Sequence, residues 1–388
     1  MKKQILIWMS SMHLGGAERS LIGLLENLDY SQVNVDLFLN AHEGELLDFI
    51  PPSVNILKEN KGYKALVSPM GTIIKRGHFL IALSRLFAKM KAKAKDKGAE
   101  NGGIRGEYSH KYTKWILPKI CRKKEYDLAI SFITPHYFVQ EKVKAKRKLA
   151  WIHTDYKQIA LDVESQLKMW KPYDGIVAVS EQVKENFIEI FPELKEKVFV
   201  FENILPEKSI RKQVEEFTAE YAHESCVKLL SIGRFCEAKN FENVPMIAKE
   251  LLRLGLDFKW YLIGYGQTEQ KIKENIARMQ MENRVVLLGK KSNPYPYIAA
   301  CDIYVQPSKY EGKAVTVREA QLLGKPVIIT DFPTANSQLR NGIDGIIVPL
   351  DNQGCAKGIF DFFNNKELMR KVAENAKCVT TDNQEITF

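Results

Sequence analysis

The feature that most constrains this chain is a strand, a glycine turn and a helix, repeated along its second half. Four short apolar runs form the predicted strands: residues 229–234, 260–266, 285–289 and 302–306. Residues 241–254 and 268–279 lie between them and have the apolar spacing of helices. Strands and helices that alternate in this way are typical of a parallel sheet with right-handed crossovers. The second half therefore predicts an α/β domain.

Glycines and cations follow these predicted strands, at the sheet edge where α/β folds bind nucleotides. Arg234 ends the first run, and Lys239 lies in the loop after it. Together they could neutralise a diphosphate. Gly264 and Gly266 form a Gly-x-Gly turn after the second run. One such turn is weak evidence for a ligand, so the interpretation depends on the order of the motifs.

Two glutamates eight positions apart, Glu311 and Glu319, flank a predicted helix start near residues 314–316. This helix is predicted to end at Gly324, a residue suited to the left-handed position after a helix. A helix start offers unpaired amides and the positive end of the macrodipole. Carboxylates placed there are natural acceptors for the vicinal hydroxyls of a ribose or a hexose.

The first half repeats the α/β pattern. Its predicted strands are residues 5–9, 127–132, 149–155 and 175–180. Gly15 and Gly16 end the loop after the first strand, before a helix at residues 18–28 whose leucines share one face. His153 lies at the carboxyl end of the third strand, and Ser180 is a predicted cap for a helix at residues 183–191.

The order of these motifs resembles that of glycosyltransferase family 4 (group 1), the retaining enzymes that make glycogen, sucrose, lipopolysaccharide and capsules. The resemblance implies the GT-B fold, in which two Rossmann-like domains face each other across a cleft. It implies that Glu311 contacts the donor sugar and that Glu319 holds the ribose. It also implies that Arg234 and Lys239 neutralise the leaving nucleoside diphosphate.

Further roles follow from the same resemblance. Gly15 and Gly16 would approach the donor diphosphate from the first domain, and His153 would contact the donor sugar. The remaining donor-binding residues are Gly264, Gly266, Lys290, Gly312, Lys313, Ala314, Val315 and Thr316. The chain departs from the family pattern before Lys239, where residues 237–240 carry one extra residue.

Length predicts two domains, residues 1–205 and 206–388, joined near residues 203–209. No window approaches eighteen apolar residues, so no membrane span is expected. The six cysteines lack C-x-x-C spacing and are interpreted as reduced thiols in the cytoplasm. No Asp-x-Asp element ends a strand, so neither a metal nor a cofactor is expected. Residues 378–388 are expected to be short of the final crossover helix that the family commonly has.

Positive charge is concentrated in the first domain. Residues 1–200 carry 32 basic and 23 acidic side chains, and residues 51–150 alone carry 23 and 7. A basic insertion at about residues 60–124 contains the stretch 73–97, which is predicted to adsorb to anionic lipid headgroups. Its apolar members are Phe79, Leu80, Ile81, Leu83, Leu86, Phe87 and Met90, and its lysines are Lys89, Lys91, Lys93, Lys95 and Lys97. Residues 95–106 are predicted to form a loop. No nucleic-acid motif is present.

Together with the basic stretch, the resemblance implies a retaining glycosyltransferase that moves a hexose from a UDP- or GDP-sugar to a glycan or polyprenyl-diphosphate-linked acceptor. The expected place is the cytoplasmic face of the plasma membrane, in the synthesis of a bacterial surface polysaccharide. Two alternatives stay open. A nucleotide-sugar epimerase can share the architecture, and a non-catalytic accessory subunit can keep the fold without the chemistry.

Overall fold

The computed structural model describes residues 2–95, 103–311 and 314–378. The chain forms two compact units, of which the first ends at Ile204 and the second begins at Leu205. Each unit contains one sheet, and every pair of neighbouring strands in both sheets is parallel. The prediction of two Rossmann-like α/β units is therefore confirmed.

The first sheet has seven strands in the order β3-β2-β1-β4-β5-β6-β7. They are β1 (Lys3–Met9), β2 (Val33–Leu39), β3 (Asn55–Ile56), β4 (Tyr126–Ser131), β5 (Ala145–Ile152), β6 (Gly175–Ala178) and β7 (Val198–Val200). Five consecutive residues of β1, from Ile5 onward, are buried. Continuous burial is typical of a parallel strand, because helices cover both faces of the sheet.

Eight helices of the described residues belong to the first unit. They are α1 (Gly16–Glu26), α2 (Lys61–Val67), α3 (Met70–Lys75), α4 (Phe79–Lys95), α5 (Gly103–Thr113), α6 (Tyr137–Lys142), α7 (Val163–Trp170) and α8 (Glu181–Ile190). Ser180 caps α8, because its hydroxyl accepts from the amide of Val183 at 3.2 Å. This predicted cap is confirmed.

Helices α2 to α5 form the basic insertion between β3 and β4. The prediction of a loop at residues 95–106 is wrong at both ends, since α4 ends at Lys95 and α5 begins at Gly103. Residues 96–102, including Lys97, lie outside the described residues. Ile104 of α5 packs on Ala88 and Ala92 of α4, and this small apolar contact explains the helix that composition did not indicate.

The second sheet has six strands in the order β10-β9-β8-β11-β12-β13. They are β8 (Val227–Ile232), β9 (Phe258–Ile263), β10 (Val285–Gly289), β11 (Ile303–Gln306), β12 (Val327–Thr330) and β13 (Ile346–Val348). The first four were predicted from the sequence, and β12 and β13 were not. Counted within the unit the strand order is 3-2-1-4-5-6. Successive strands are therefore added on one side of β8 up to β10 and on its other side from β11 onward, which makes the boundary between β8 and β11 the topological switch point. Ligands of such folds bind at this switch point, beside the carboxyl ends of the strands.

The helices of the second unit precede, connect or follow these strands. They are α9 (Glu207–Val214), α10 (Val244–Arg253), α11 (Glu269–Met279), α12 (Tyr295–Ala300), α13 (Val315–Leu322), α14 (Ala335–Gln338), α15 (Asn352–Asn364) and α16 (Lys366–Cys378). Gly324 follows α13 with φ of +69°, as its position after a helix predicted. The predicted helix at residues 241–254 begins with a single 3-10 turn, Phe241–Asn243, before α10.

Candidate functional site

The glycine turns after β8 and β9 pack directly against each other at the switch point of the second unit. Gly264 has φ of +157°, and a Cβ atom on it would lie 1.9 Å from the carbonyl oxygen of Gly233. A Cβ atom on Gly266 would lie 2.3 Å from the carbonyl oxygen of Phe235. Only glycine allows this approach. Hydrogen bonds across the contact, such as Phe235 N to Tyr265 O at 2.8 Å, fix both turns.

Lys239 and Glu311 meet at this edge, although 72 positions separate them. The ammonium of Lys239 donates to Oε1 of Glu311 at 2.5 Å, with side-chain exposures of 20% and 10%. The stem of Lys239 lies over Gly233, where a Cβ atom would come within 3.4 Å of it. Directly after Lys239, Asn240 takes a left-handed conformation with φ of +60° and turns the chain into the 3-10 turn that begins at Phe241.

A chain of buried polar groups behind Glu311 holds its carboxylate. Ser308 donates to Oε1 of Glu311 at 2.6 Å, and Gln306 donates to the hydroxyl of Ser308 at 2.9 Å. Tyr304 in turn donates to the amide oxygen of Gln306 at 2.7 Å. Burial raises the pKa of Tyr304, and the carboxylates of Glu319 and Glu311 raise it further against the opposing effect of a hydrogen bond with Thr316. Tyr304 therefore stays protonated at neutral pH.

A second connection between the same loops was missed by sequence reasoning. The amide of Lys309 donates to the carbonyl of Ala238 at 2.8 Å, and its ammonium lies 3.2 Å from Oε1 of Glu242, which is buried. In the sequence, the only sign of the pair between Lys309 and Glu242 was the acidic residue directly after Phe241. The contact fixes the loop that carries Lys239 to the loop that carries Glu311.

Two other predicted cations are exposed at this edge. Arg234 follows Gly233 and makes no hydrogen bond or ion pair within the described residues, so its guanidinium is available for an anion. Lys290 follows β10, and its ammonium lies 5.2 Å from the centre of the Tyr265 ring.

Glu319 is in a different environment from Glu311. Its side chain is fully buried on α13, where Oε1 accepts from the hydroxyl of Tyr295 at 2.9 Å. No hydrogen bond joins it to Glu311 within the part of the chain described. Tyr295 thus fixes the carboxylate of Glu319, the residue predicted to bind the ribose. The sequence spacing did not indicate this tyrosine.

The start of α13 carries three predicted donor-binding residues. Ala314 precedes the helix and offers no side-chain cap, and its own amide donates to the Gln338 side chain at 2.6 Å. Val315 and Thr316 are the first residues of the helix and are partly exposed. Gly312 and Lys313 lie outside the described residues.

In the first unit, the predicted residues lie at the carboxyl edge of its own sheet. Gly15 is the residue before α1, and it makes no side-chain hydrogen bond that caps this helix. His153 directly follows β5, and its ring lies 4.8 Å from that of Phe132, which follows β4.

Three histidines gather at this edge, of which only His153 was predicted. Burial lowers the pKa of His153 to about 4, although a hydrogen bond with the backbone of Phe132 opposes the shift. Burial also lowers the pKa of His110 to about 4 and that of His136 well below its usual value. Nδ1 of His136 lies 2.8 Å from the hydroxyl of Ser131. All three rings are therefore neutral at pH 7.

The structure thus brings Arg234, Lys239 and Glu311 together with Gly264 and Gly266 in the second unit. Gly15, Gly16 and His153 share the corresponding edge in the first unit. Among the described residues, no group of three or more His, Cys, Asp or Glu could hold a metal ion. Five cysteines are free thiols: Cys121, Cys226, Cys236, Cys301 and Cys355.

Comparison with known proteins relates the second unit to a family of glycosyltransferases. Residues 213–379 match the family model "Glycosyl transferases group 1". A galactosyltransferase of Escherichia coli, UDP-Gal:alpha-D-GlcNAc-diphosphoundecaprenol alpha-1,3-galactosyltransferase, is 28% identical over 31% of this chain and 32% of its own length. The capsular polysaccharide biosynthesis glycosyltransferase CapM of Staphylococcus aureus is 26% identical over 57% of this chain and 60% of its own length.

Another relative is the N-acetylgalactosamine-N,N'-diacetylbacillosaminyl-diphospho-undecaprenol 4-alpha-N-acetylgalactosaminyltransferase of Campylobacter jejuni. It is 26% identical over 38% of this chain and 40% of its own length. The chain therefore matches about two fifths of the length of that relative.

Solved structures match the chain over nearly its full length. HepE of Anabaena in complex with UDP superposes with a TM-score of 0.64 at 17% identity, covering 98% of this chain and 94% of that one. A glycosyltransferase from Rickettsia africae gives a TM-score of 0.61 at 20% identity, covering 97% and 93%. These likenesses confirm the GT-B type of fold. Residues 213–379 thus form a domain of the glycosyl transferases group 1 family, within a chain that has the two-sheet fold of these solved structures.

Proposed function

We propose that this protein is a retaining glycosyltransferase that moves a hexose from a nucleotide sugar to a hydroxyl of a lipid-linked glycan. The observation that carries the proposal is the pairing of Lys239 with Glu311 at the switch point of a group 1 domain. In this pair, the ammonium of Lys239 could bind a diphosphate, and the carboxylate of Glu311 beside it could accept hydrogen bonds from sugar hydroxyls. Its position beside the carboxyl ends of β8 and β11 is where such folds bind nucleotides.

The donor is proposed to be a UDP-sugar, with a GDP-sugar as the second choice. Support comes from HepE, whose solved structures contain UDP and UDP-glucose. In this chain Glu319 would accept hydrogen bonds from the ribose hydroxyls. Glu311 would accept from the sugar, and the turns at Gly264 and Gly266 would let the donor lie close to the backbone.

The chemical step places negative charge on the departing diphosphate. Arg234 is exposed and free of ion pairs within the described residues, and Lys239 is held 2.5 Å from Glu311, so both are ready before the donor arrives. Preorganised cations stabilise such charge without reorganisation. They supply the charge that a metal supplies in other enzymes, so we propose that the reaction needs neither metal nor cofactor. The leaving diphosphate would accept the proton of the acceptor hydroxyl on the same face, which retains the anomeric configuration.

The acceptor is proposed to be a glycan on a polyprenyl diphosphate, in the synthesis of a bacterial surface polysaccharide. The names of the E. coli and C. jejuni relatives contain diphospho-undecaprenol. These relatives match only part of the chain, so the first unit must supply its own evidence for a lipid-linked acceptor.

That evidence is the outward face of α4. Phe79, Leu80, Leu83 and Met90 are each at least 60% exposed, whereas Ile81, which the sequence grouped with them, is buried. Exposed apolar side chains on this scale mark an interaction surface. The same helix also carries lysines. Each cation near an anionic membrane contributes about 1 kcal/mol to the free energy of membrane binding. Within the described residues, no helix combines the length and the apolar composition that a membrane crossing needs. We propose peripheral contact of α4 with the cytoplasmic face of the plasma membrane.

The transfer activity is tested by incubating the purified chain with UDP-sugars and a short acceptor and following the anomeric proton by NMR. The proposal is supported if UDP is released and the new glycosidic bond is axial when the anomeric bond of the donor is axial. An epimerised donor formed without acceptor would instead indicate the nucleotide-sugar epimerase. If no donor is bound or hydrolysed, the chain is the non-catalytic accessory subunit.

Membrane contact is tested with vesicles of phosphatidylglycerol at two salt concentrations. Lys91→Glu with Lys93→Glu should release the protein, while Lys271→Glu with Lys371→Glu, an equal charge change on exposed lysines of the second unit, should not. Lys95 is left intact because its ammonium lies 2.6 Å from the buried carboxylate of Asp162 and holds α4 in place. Equal binding by both variants would contradict the membrane contact.

A further inference from the structure

A cavity of about 470 Å³ lies inside the basic insertion, between the region of α2 and α3 and the helices α4 and α5. Three cationic side chains line it, Arg85 and Lys89 from α4 and Arg105 from α5. None of its lining residues is acidic. A wall with three cations and no carboxylate is an unbalanced arrangement that a bound anion would neutralise.

Arg85 is fixed in this wall by the fold. One of its Nη atoms donates to the carbonyl oxygens of Ala65 and Ser68, at 2.8 Å and 2.7 Å. Burial, together with the nearby charge of Arg105, lowers the pKa of Arg85. The two guanidinium groups therefore repel each other. An anion between them would remove this repulsion and could accept from a guanidinium whose position is already set.

The cavity reaches the sheet edge that carries His153. His110, one of its lining residues, stacks on Phe138 of α6 at 4.6 Å and meets Trp8 of β1 edge-on at 6.0 Å. The strand order of this sheet reverses between β1 and β4, which makes their boundary the topological switch point. The cavity therefore adjoins the switch point of the first unit.

The rim of the cavity is apolar on its outer side. Met70 and Leu86 both line the cavity and are exposed by 36% and 49%. Leu86 belongs to α4, whose outward face carries the exposed apolar side chains Leu83 and Met90. A cationic cavity that opens onto an apolar surface matches a ligand with an anionic head and a hydrocarbon tail. Its volume is within the range of small-ligand sites and exceeds the needs of a single phosphate.

We propose that this cavity binds the diphosphate of the lipid-linked acceptor, with Arg85, Lys89 and Arg105 as its charge partners. The hydrocarbon chain leaves across Met70 and Leu86 toward the outward face of α4. The first sugar lies toward His110 and the sheet edge. This assignment rests on the proposed function, because it supplies the acceptor subsite of that reaction.

The test measures binding of farnesyl diphosphate by isothermal titration, without vesicles and with UDP saturating the nucleotide site. The double variant Lys89→Gln and Arg105→Gln removes two charges from exposed side chains and leaves the fold anchor Arg85 intact. The matched control, Arg76→Gln with Lys93→Gln, removes two exposed charges from the same insertion outside the cavity. We expect the cavity variant to bind at least tenfold more weakly and the control to stay within twofold of the wild type.

Farnesyl monophosphate and phosphatidylglycerol vesicles are the comparison probes. Farnesyl diphosphate should bind the wild type more tightly than the monophosphate, and the cavity variant should lose this preference. Equal weakening of both variants, or loss of vesicle binding alone, would overturn the assignment and leave general attraction to anionic lipid. The affinity for UDP should not change in either variant.

Failure of the proposed function would look different. If the wild type binds farnesyl diphosphate through these residues and yet transfers no sugar to any acceptor, the cavity assignment stands and the transferase activity is wrong. If it transfers sugar to a short acceptor without a diphosphate and the cavity variant binds farnesyl diphosphate normally, only the cavity assignment is wrong.

Discussion

Replacing Lys239 by methionine separates the two roles that the structure gives this lysine. Its ammonium donates to Glu311 at 2.5 Å with 20% of the side chain exposed, so the pair is partly buried. A hydrogen bond of this charged type contributes about 1.5–3 kcal/mol. Glu311 keeps its donor Ser308 at 2.6 Å, which places the loss of stability at the lower end, about 1.5 kcal/mol. For a unit of this size the expected fall in Tm is about 3 to 6 °C.

The effect on turnover should be much larger than the effect on stability. If Lys239 stabilises the charge that develops on the leaving diphosphate, its removal should lower kcat about a hundredfold or more. Methionine keeps the apolar stem over Gly233, so the loop should stay in place. The assay is UDP release at saturating donor, measured beside thermal unfolding of the same preparation.

Lys309→Met is the matched control. It removes the same charge from a neighbouring lysine, whose ammonium lies 3.2 Å from Glu242 with 34% of the side chain exposed. Its Tm should fall by a similar amount, while its turnover should stay within a few-fold of the wild type. If the two variants lose the same small amount of turnover, the diphosphate role of Lys239 is refuted.

Three further outcomes are expected. Glu319→Gln keeps the side-chain volume and the Tyr295 contact but should weaken UDP binding, measured by calorimetry, by about 1.5 kcal/mol or more. The affinity for 2′,3′-dideoxy-UDP should not change. An equal loss of affinity for both ligands would remove Glu319 from the ribose site. Gly264→Ala should cost about 1–3 kcal/mol in urea unfolding, because its Cβ atom would lie 1.9 Å from the Gly233 carbonyl oxygen. The pKa of His153 is lowered to about 4, so folding excludes a proton and stability should fall as pH drops from about 6.5 toward 4, by up to about 1.4 kcal/mol per pH unit. His153→Asn should show a shallower pH dependence of unfolding, and an unchanged slope would contradict the buried neutral ring.

The sequence predicted the elements wherever a local pattern was sufficient. Apolar runs that end in glycine gave β8, β9 and β10 within a few residues, and the leucines of α1 gave its buried face. Local patterns failed in two places. β12 and β13 are short, with four and three residues, and no glycine directly follows either of them. The start of α5 was predicted as a loop because its helix depends on packing against α4.

What the sequence by itself determined is the kind of fold and the kind of site: parallel α/β units, with glycines, cations and carboxylates after the strands. Tertiary structure alone decided which of these residues meet. Lys239 reaches Glu311, Lys309 reaches Glu242 and Arg85 comes near Arg105 only after the chain has folded. Periodicity reports the neighbours of a residue within one turn or one strand. Pairs like these are made by crossover connections that return successive strands to the same edge, so their distances depend on the whole sheet.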